Sequence, residues 1–281
     1  MEPTQLATAA TAGVVGAGVA SVAPSGAPIE GRRITKRFPG KDKVFTAIED
    51  VSFSIKGGEF VSLIGPSGCG KSTLMLIAAG LSLPTEGDIV VGGNKLTEPI
   101  TDVGIVFQDH LLLDFRTALD NIMLQHQVRG LPMAQGREDT MSLMHKLGIA
   151  HAADRYPRQL SGGMRQRVSI ARALIHEPSV LLMDEPFGAL DAITRTQIRH
   201  DLELLWLETR KTVLFITHSV EEAVGLSDRV LVMSPNPGKI VEEIVIDLPR
   251  PRPAHLGEYP SFNVYAERIH EAFKRLGIIK Y

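Results

Sequence analysis

The chain contains the stretch Gly65-Pro66-Ser67-Gly68-Cys69-Gly70-Lys71-Ser72-Thr73, which lies between an apolar run at 60–64 and another that starts at Leu74. The first run is typical of a buried strand, and the second has the pattern of a helix. Three glycines in the stretch allow backbone conformations that a side chain would hinder, so successive N–H groups can point at one anion. The start of the following helix adds partial positive charge at the same place. The stretch therefore predicts an anion-binding loop between a strand and a helix.

The last side chains of this loop indicate that the bound anion is a nucleotide phosphate. The spacing from Gly65 to Ser72 matches the P-loop pattern G-x-x-x-x-G-K-[ST], in the strand–loop–helix context that the pattern requires. Lys71 supplies a full positive charge to the β- and γ-phosphates, and the Ser72 hydroxyl is a suitable ligand for Mg²⁺. A glycine-rich turn without a ligand is the alternative, but it would not need Lys, Ser and Thr in this register.

The composition is that of a globular protein with enough apolar residues for a large core. The chain has 281 residues, of which 44% are hydrophobic and 22% are charged, and its formal net charge is −2. This balance argues against a nucleic-acid partner, because there is no excess of positive charge to meet phosphate backbones. The single cysteine, Cys69, excludes an internal disulfide. No strongly apolar run reaches about eighteen residues, so the chain is not expected to cross a membrane by itself.

The chain is expected to have three parts. Residues 1–27 carry one charge and consist mainly of small residues, which predicts a disordered tail. A secretory signal peptide is the alternative, but no Lys or Arg precedes its apolar stretch. Residues 28–248 would form the nucleotide-binding domain. Residues 249–281 would form an extension with an amphipathic helix, whose apolar side contains Phe262, Tyr265, Ile269, Phe273 and Leu276.

Strands alternate with helices along the middle of the chain, which indicates an α/β fold with a largely parallel sheet. Its strands are expected at 60–64, 103–107, 180–183, 212–217 and 229–234, and its helices at 194–208 and 220–225. Hairpin signals before and after the P-loop predict a separate antiparallel sheet, with an edge strand at 31–38 and a second strand at 44–55. Residues 109–176 change character, and helices expected over 118–128, 133–147 and 161–176 would form a helical insert.

Two carboxylates follow the apolar run at 180–183. Asp184 and Glu185 stand at the carboxyl end of this predicted strand, the edge where open α/β sheets bind ligands. Asp184 suits the carboxylate that assists Mg²⁺ in P-loop enzymes, and Glu185 is placed to polarise the water that attacks the γ-phosphate. A strand-ending turn would explain these residues alone, and the P-loop upstream favours the catalytic interpretation.

A second glycine-rich helix start occurs at Ser161, Gly162 and Gly163. Its free N–H groups form a second anion-binding terminus, for which a simple helix cap is the alternative. A chain rarely needs two such termini for one nucleotide, unless the second faces a different nucleotide.

Six motifs follow one another in a recognisable order: the P-loop at 65–73, Gln108, the segment 160–166, Asp184-Glu185, the segment 189–191, and His218. From about residue 29 to 247 the chain resembles the ATP-binding cassette (ABC) ATPases, particularly the importer type. The resemblance implies a P-loop NTPase fold with a RecA-like parallel sheet core, an N-terminal antiparallel β subdomain and a helical signature subdomain. It also implies a homodimer of cassettes. Each ATP would lie between the P-loop of one copy and the signature segment, residues 160–166 here, of the other.

The resemblance assigns roles to individual residues around the nucleotide. Phe38 would stack on adenine, with Phe45 as the second choice. Gln108 would join the Mg²⁺ and the attacking water to the helical insert. His218 would contact the γ-phosphate and that water, whereas a lone histidine at this position would otherwise be interpreted as a buried structural residue.

The same resemblance assigns roles across the dimer. Ser161, Gly162 and Gly163 would bind the γ-phosphate held by the other copy, and Asp191 would organise the interface between the two sites. The fifth signature residue is Met164 rather than Gln, a departure that removes no catalytic group.

Text similarity at 65–72, 106–109, 186–192 and 233–250 is greatest to the nitrate/sulfonate/taurine group of importers. The group implies a peripheral subunit at the cytoplasmic face of the membrane, bound to separate integral-membrane permease subunits. An extracytoplasmic solute-binding protein would act indirectly, and the solute would be a small anion such as nitrate, a sulfonate or taurine. An exporter ATPase and a soluble ABC ATPase of repair or translation are the alternatives. The translation kind usually has two cassettes in one chain, whereas this chain has one P-loop.

Overall fold

The computed structural model describes residues 25–40 and 43–279. Its strands are β1 (Ile29–Phe38), β2 (Phe45–Ile55), β3 (Phe60–Ile64), β4 (Glu86–Val91), β5 (Asn94–Lys95), β6 (Val103–Val106), β7 (Val180–Asp184), β8 (Thr212–Thr217), β9 (Arg229–Met233) and β10 (Ile240–Val245). Its helices are α1 (Lys71–Ala78), α2 (Ala118–Arg129), α3 (Met133–Lys146), α4 (Gly162–Leu174), α5 (Ala192–Thr209), α6 (Val220–Leu226) and α7 (Pro260–Arg275). The tail expected over 1–27 lies outside the described residues except for 25–27.

The larger sheet has six strands in the order β10-β9-β3-β8-β7-β6. Neighbouring strands from β9 to β6 run parallel, and β10 pairs antiparallel with β9 at one edge. Every residue of β3 and β8 is buried, as expected for parallel strands covered on both faces. The predicted α/β fold with a parallel core is confirmed. The sequence did not predict β10, because Ile244 is its only buried residue and two adjacent glutamates interrupt its apolar run.

The smaller sheet is antiparallel and has the order β2-β1-β4-β5. The strand predicted at 31–38 is present as β1, but its predicted position at an edge was wrong, because β1 lies between β2 and β4. The pairing of β1 with β4 is a long-range contact that the local pattern of 31–38 does not reveal. Three arginines of β1 pair with carboxylates of the same sheet. Arg32 Nη2 lies 2.7 Å from Glu30 Oε2, and Arg37 pairs with Glu86.

Helices α2, α3 and α4 pack around one apolar cluster that includes Met144 and Val168. All three were expected from the sequence. Helix α4 ends at Leu174, slightly before the expected end, since Glu177 precedes Pro178 and adopts a left-handed backbone with φ of 52°. Within the described ranges, no helix combines the length and the apolarity that crossing a bilayer requires.

The C-terminal helix α7 packs against α6, β9 and β10. Ile269 and Phe273 are buried in a cluster with Ala223, Val230 and Ile244. Burial of each large apolar side chain stabilises the fold by about 1.5–3 kcal/mol. The apolar side predicted for this helix is the side that faces the domain, and its remaining members, Phe262, Tyr265 and Leu276, are partly buried there.

Two arginines hold the proline-rich segment that precedes α7. Arg250 Nη1 lies 2.9 Å from Glu203 Oε1 on α5. The Arg252 side chain is buried, and its Nη1 donates to the carbonyl oxygens of Val224 at 2.6 Å and Ser227 at 2.8 Å. Burial lowers the pKa of Arg252 to about 10. The extension is therefore tied to α5 and α6 by buried polar contacts as well as by the apolar side of α7.

Candidate active site

The P-loop joins the buried strand β3 to helix α1, as the sequence predicted. Gly68 and Gly70 have φ values of 76° and 99°, in the left-handed region that favours glycine. A Cβ at Gly70 would lie 2.9 Å from the Ala47 carbonyl oxygen, so the loop also needs glycine for space. Ser67 and Ser72 are exposed in the loop and at the start of α1. The local geometry fits a backbone cradle that is open to a phosphate.

Lys71 is buried at the start of α1, and its ammonium lies inside the loop. Its Nζ donates to the carbonyl oxygens of Gly65 at 2.9 Å and Pro66 at 3.0 Å. Because both acceptors are uncharged, they orient the ammonium without neutralising it. Cys69 is also buried here, and burial raises the pKa of its thiol.

Asp184 ends β7, and its carboxylate is near the Ser72 hydroxyl. Burial raises the pKa of Asp184, while the neighbouring Ser72 hydroxyl and the Lys71 ammonium oppose that rise. A carboxylate and a hydroxyl are the hard oxygen ligands that Mg²⁺ prefers. This pair of oxygen donors fits the metal that the sequence predicted.

Glu185 and His218 face each other at the ends of two neighbouring strands. His218 Nδ1 lies 3.2 Å from Glu185 Oε2. The Glu185 backbone has φ of 43°, a left-handed conformation that costs a non-glycine residue about 1–3 kcal/mol and is often found at functional sites. Its N–H donates to the Ile216 carbonyl oxygen at 2.9 Å, which ties it to β8. The structure therefore brings the predicted base and the predicted histidine into contact.

The parallel register places Gln108 and the P-loop at the sheet edge that carries Glu185 and His218. Val106 of β6 is opposite Met183 of β7, so Gln108 follows β6 on the side where Asp184 and Glu185 follow β7. Ile64 of β3 pairs with Thr217 of β8, so the P-loop and His218 start from adjacent strand ends. The Gln108 side chain is exposed.

Ser161 and Asp191 are both helix caps. Ser161 Oγ accepts a hydrogen bond from the Met164 N–H at 3.2 Å, and Asp191 Oδ1 accepts one from the Thr194 N–H at 3.0 Å. A Cβ at Gly163 would lie 2.5 Å from Thr194 Cγ2, so the starts of α4 and α5 lie side by side. Ser161 and Asp191 are exposed, and within 25–40 and 43–279 their side-chain hydrogen bonds stay in their own helix starts rather than reaching the P-loop.

Phe38 and Phe45 pair across β1 and β2 at the open end of the smaller sheet. Both are exposed, at 40% and 49%. Lys36 Nζ lies 5.2 Å from the centre of the Phe38 ring. Either aromatic ring is available for stacking, so the alternative raised by the sequence stays open.

Two residues beside His218 were missed by sequence reasoning. Glu222 on α6 is buried, and Arg195 on α5 lies with its Nε 3.7 Å from Glu222 Oε1. In the sequence, Glu222 is one of two consecutive acids at a helix start, where exposed acids are common. No local pattern distinguishes the buried glutamate from its exposed neighbour.

Comparison with known proteins shows which family has this arrangement. The family model described as ABC transporter matches residues 48–188. The chain is 44% identical over 247 residues to the nitrate import ATP-binding protein NrtD of Synechococcus elongatus, covering 86% of this chain and 90% of that protein. It is 38% identical over 247 residues to the aliphatic sulfonates import ATP-binding protein SsuB of Bacillus cereus, covering 88% of this chain and 96% of that protein.

Solved structures show the same relationship. The dimeric structure of MJ0796, a bacterial ABC transporter cassette, matches with a TM-score of 0.71 and 33% identity, covering 78% of this chain and 99% of that chain. A post-hydrolysis state of that cassette, bound to ADP and phosphate, matches with a TM-score of 0.70 and 30% identity. The chain therefore belongs to the ABC transporter family and has the fold of its ATP-hydrolysing cassettes.

Proposed function

We propose that this protein is the ATP-hydrolysing subunit of an ABC importer and works as a pair of identical cassettes. The observation that carries the proposal is the contact between Glu185 and His218 at the sheet edge from which the P-loop also starts. The ATPase unit would comprise residues 28–248, with 109–176 as its helical subdomain and 249–281 as an extension.

Glu185 is proposed to act as the general base. As the water oxygen bonds to the γ-phosphorus, the bond from that phosphorus to the β–γ bridging oxygen breaks, and Glu185 takes the proton of the water. The products are ADP and phosphate. His218 holds the Glu185 carboxylate in place and faces the γ-phosphate, whose charge Lys71 and the P-loop amides balance. Phe38, or in its place Phe45, would stack on the adenine.

Mg²⁺ would be held by Ser72, Asp184 and Gln108, and when bound it neutralises charge on the β- and γ-phosphate oxygens. The Ser72 hydroxyl and the Asp184 carboxylate already lie close to each other, which supports the assignment. Gln108, after β6, completes the set from a third strand end.

The second nucleotide-binding surface is proposed to act on the partner copy. Ser161, Gly162 and Gly163 would contact the γ-phosphate bound to the other P-loop, and Asp191 would lie between the two sites. Ser161 and Asp191, which cap α4 and α5, are both exposed, and this supports the role. ATP would close the dimer by bridging the two copies, and phosphate release would reopen it.

The import direction is proposed from the relatives, whose names describe nitrate import and aliphatic sulfonates import. A small anion of that kind would be the solute. The protein would lie at the cytoplasmic face of the membrane through contacts with integral-membrane permease subunits, and an extracytoplasmic binding protein would deliver the solute.

Purification of the tagged full-length protein from membranes tests this function. Recovery of a multi-span permease, with phosphate release stimulated by a solute-loaded binding protein, is the expected result. A partner-free ATPase, or one recovered with ribosomes or DNA, would contradict the importer assignment and leave only ATP hydrolysis.

A further inference from the structure

Glu222 is a buried acid that the proposed mechanism does not use. It lies in the first turn of α6, directly after the segment that carries His218, and is 5% exposed. Its neighbour Glu221 is exposed and would by itself supply the negative charge that a helix start favours. Burying a carboxylate costs free energy unless specific partners compensate. The contacts of Glu222 therefore indicate its role.

Glu222 is hydrogen-bonded to the residues on both sides of His218. The Thr217 hydroxyl donates to Glu222 Oε2, and the same hydroxyl oxygen accepts the Ser219 N–H at 3.0 Å. Ser219 Oγ accepts the Glu222 N–H at 3.3 Å. The Glu222 carboxylate therefore orients the Thr217 hydroxyl, and that hydroxyl in turn holds the backbone N–H of Ser219 on the other side of His218. The His218 side chain itself is exposed.

Arg195 connects Glu222 to the segment that contains Asp191. Its Nε lies 3.7 Å from Glu222 Oε1, and its Nη2 donates to the Leu190 carbonyl oxygen at 2.9 Å. Leu190 directly precedes Asp191, the cap of α5. A displacement at 190–191 would thus move Arg195 relative to Glu222, and through Glu222 it would move the Thr217 hydroxyl that holds the Ser219 N–H beside His218.

We propose that Glu222 is a positioning residue that holds His218 against Glu185, and that Arg195 transmits the position of the segment at 190–191 to this pair. The inference rests on the proposed role of His218 in hydrolysis. It gives a physical route by which the part of the chain proposed to lie at the dimer interface can influence the reacting water in the same copy.

Glu222→Gln is the informative change, because it preserves the shape and an acceptor for Thr217 but removes the charge opposite Arg195. Glu221→Gln is the matched control, since it makes the same change on an exposed residue of the same helical turn. Thr217→Val provides a second variant of similar volume that removes the shared hydroxyl. Each is measured in the full-length protein for ATP affinity, for kcat of phosphate release and for thermal unfolding, alone and combined with His218→Ala.

We expect Glu222→Gln and Thr217→Val to lower kcat about tenfold with ATP affinity unchanged, and Glu221→Gln to change neither. In the His218→Ala background the same substitutions should have no further effect on kcat, because they act through the missing side chain. An equal loss in both backgrounds would mean a merely structural role and would overturn the inference, as would wild-type turnover of both variants. If His218→Ala alone retains full turnover, the proposed role of His218 in hydrolysis is wrong. That outcome differs from a failure of the positioning role of Glu222, in which His218→Ala loses turnover but the Glu222 variant does not act through His218.

Discussion

Replacing Glu185 by glutamine removes the proposed base and changes little else in the structure. The residue is held by its own backbone N–H, which donates to the Ile216 carbonyl oxygen, and a glutamine amide oxygen can still accept from His218 Nδ1. The side chain is partly exposed, at 20%, so a neutral amide is tolerated without a buried penalty. We therefore expect ATP binding and thermal stability to stay close to those of the unchanged protein.

The expected loss in turnover follows from the proton that Glu185 must accept. Loss of a positioned general base typically costs about 10²–10⁴-fold in rate. At about 1.36 kcal/mol per tenfold, that is about 2.7–5.4 kcal/mol of transition-state stabilisation. Single-turnover phosphate release with saturating ATP, measured beside equilibrium ATP binding, separates the chemical step from affinity.

Glu177→Gln serves as a matched control for this experiment. Glu177 is also an acid with a left-handed backbone, with φ of 52°, but it is exposed after α4 and away from the sheet edge that carries the site. It should retain full turnover. Near-normal single-turnover phosphate release by Glu185→Gln would refute Glu185 as the base, and a parallel loss of ATP binding would show that the residue acts in affinity instead.

Lys71, Cys69 and Arg252 each allow a separate test. Lys71→Ala should weaken ATP binding at least about tenfold, because it removes a charged hydrogen-bond donor worth about 1.5–3 kcal/mol, and unchanged affinity in calorimetry would contradict the P-loop assignment. The Cys69 thiol should react with a disulfide reagent more slowly than a free thiol at pH 8, because its raised pKa leaves less thiolate, and ATP should slow it further; a rate equal to that of a free thiol would be the contrary result. Arg252→Met should lower the free energy of unfolding by about 1–3 kcal/mol for each carbonyl oxygen left unpaired, at Val224 and Ser227, and an unchanged melting temperature would disprove this role.

The parts of the site that could be predicted from the sequence are those whose functional groups lie in short runs of consecutive residues. The P-loop needs glycine at positions with left-handed backbone, and Gly68 and Gly70 have such backbones in the structure. Asp184 and Glu185 stand at the end of an apolar strand, and parallel pairing then brings them to the edge where His218 lies. Local pattern and sheet topology together were sufficient here.

The parts that were missed depend on contacts between distant segments. β1 was expected at an edge, but it pairs with β2 on one side and with β4, which follows the P-loop and α1 in the sequence, on the other. Glu222 and Glu221 have the same local sequence signal, and only the packing of α6 against Thr217 and Arg195 decides which of them is buried. Such burial is a property of the tertiary structure rather than of a motif.

Mixing two inactive variants tests most directly whether each ATP site is shared between two copies. If one site combines Lys71 of one copy with Ser161 of the other, a dimer of Lys71→Ala with Ser161→Glu has one site with both changes and one intact site. Phosphate release should then recover on mixing well above that of either variant alone. If each site is instead built within a single chain, no mixed dimer contains an intact site, and the mixture will stay as inactive as its components.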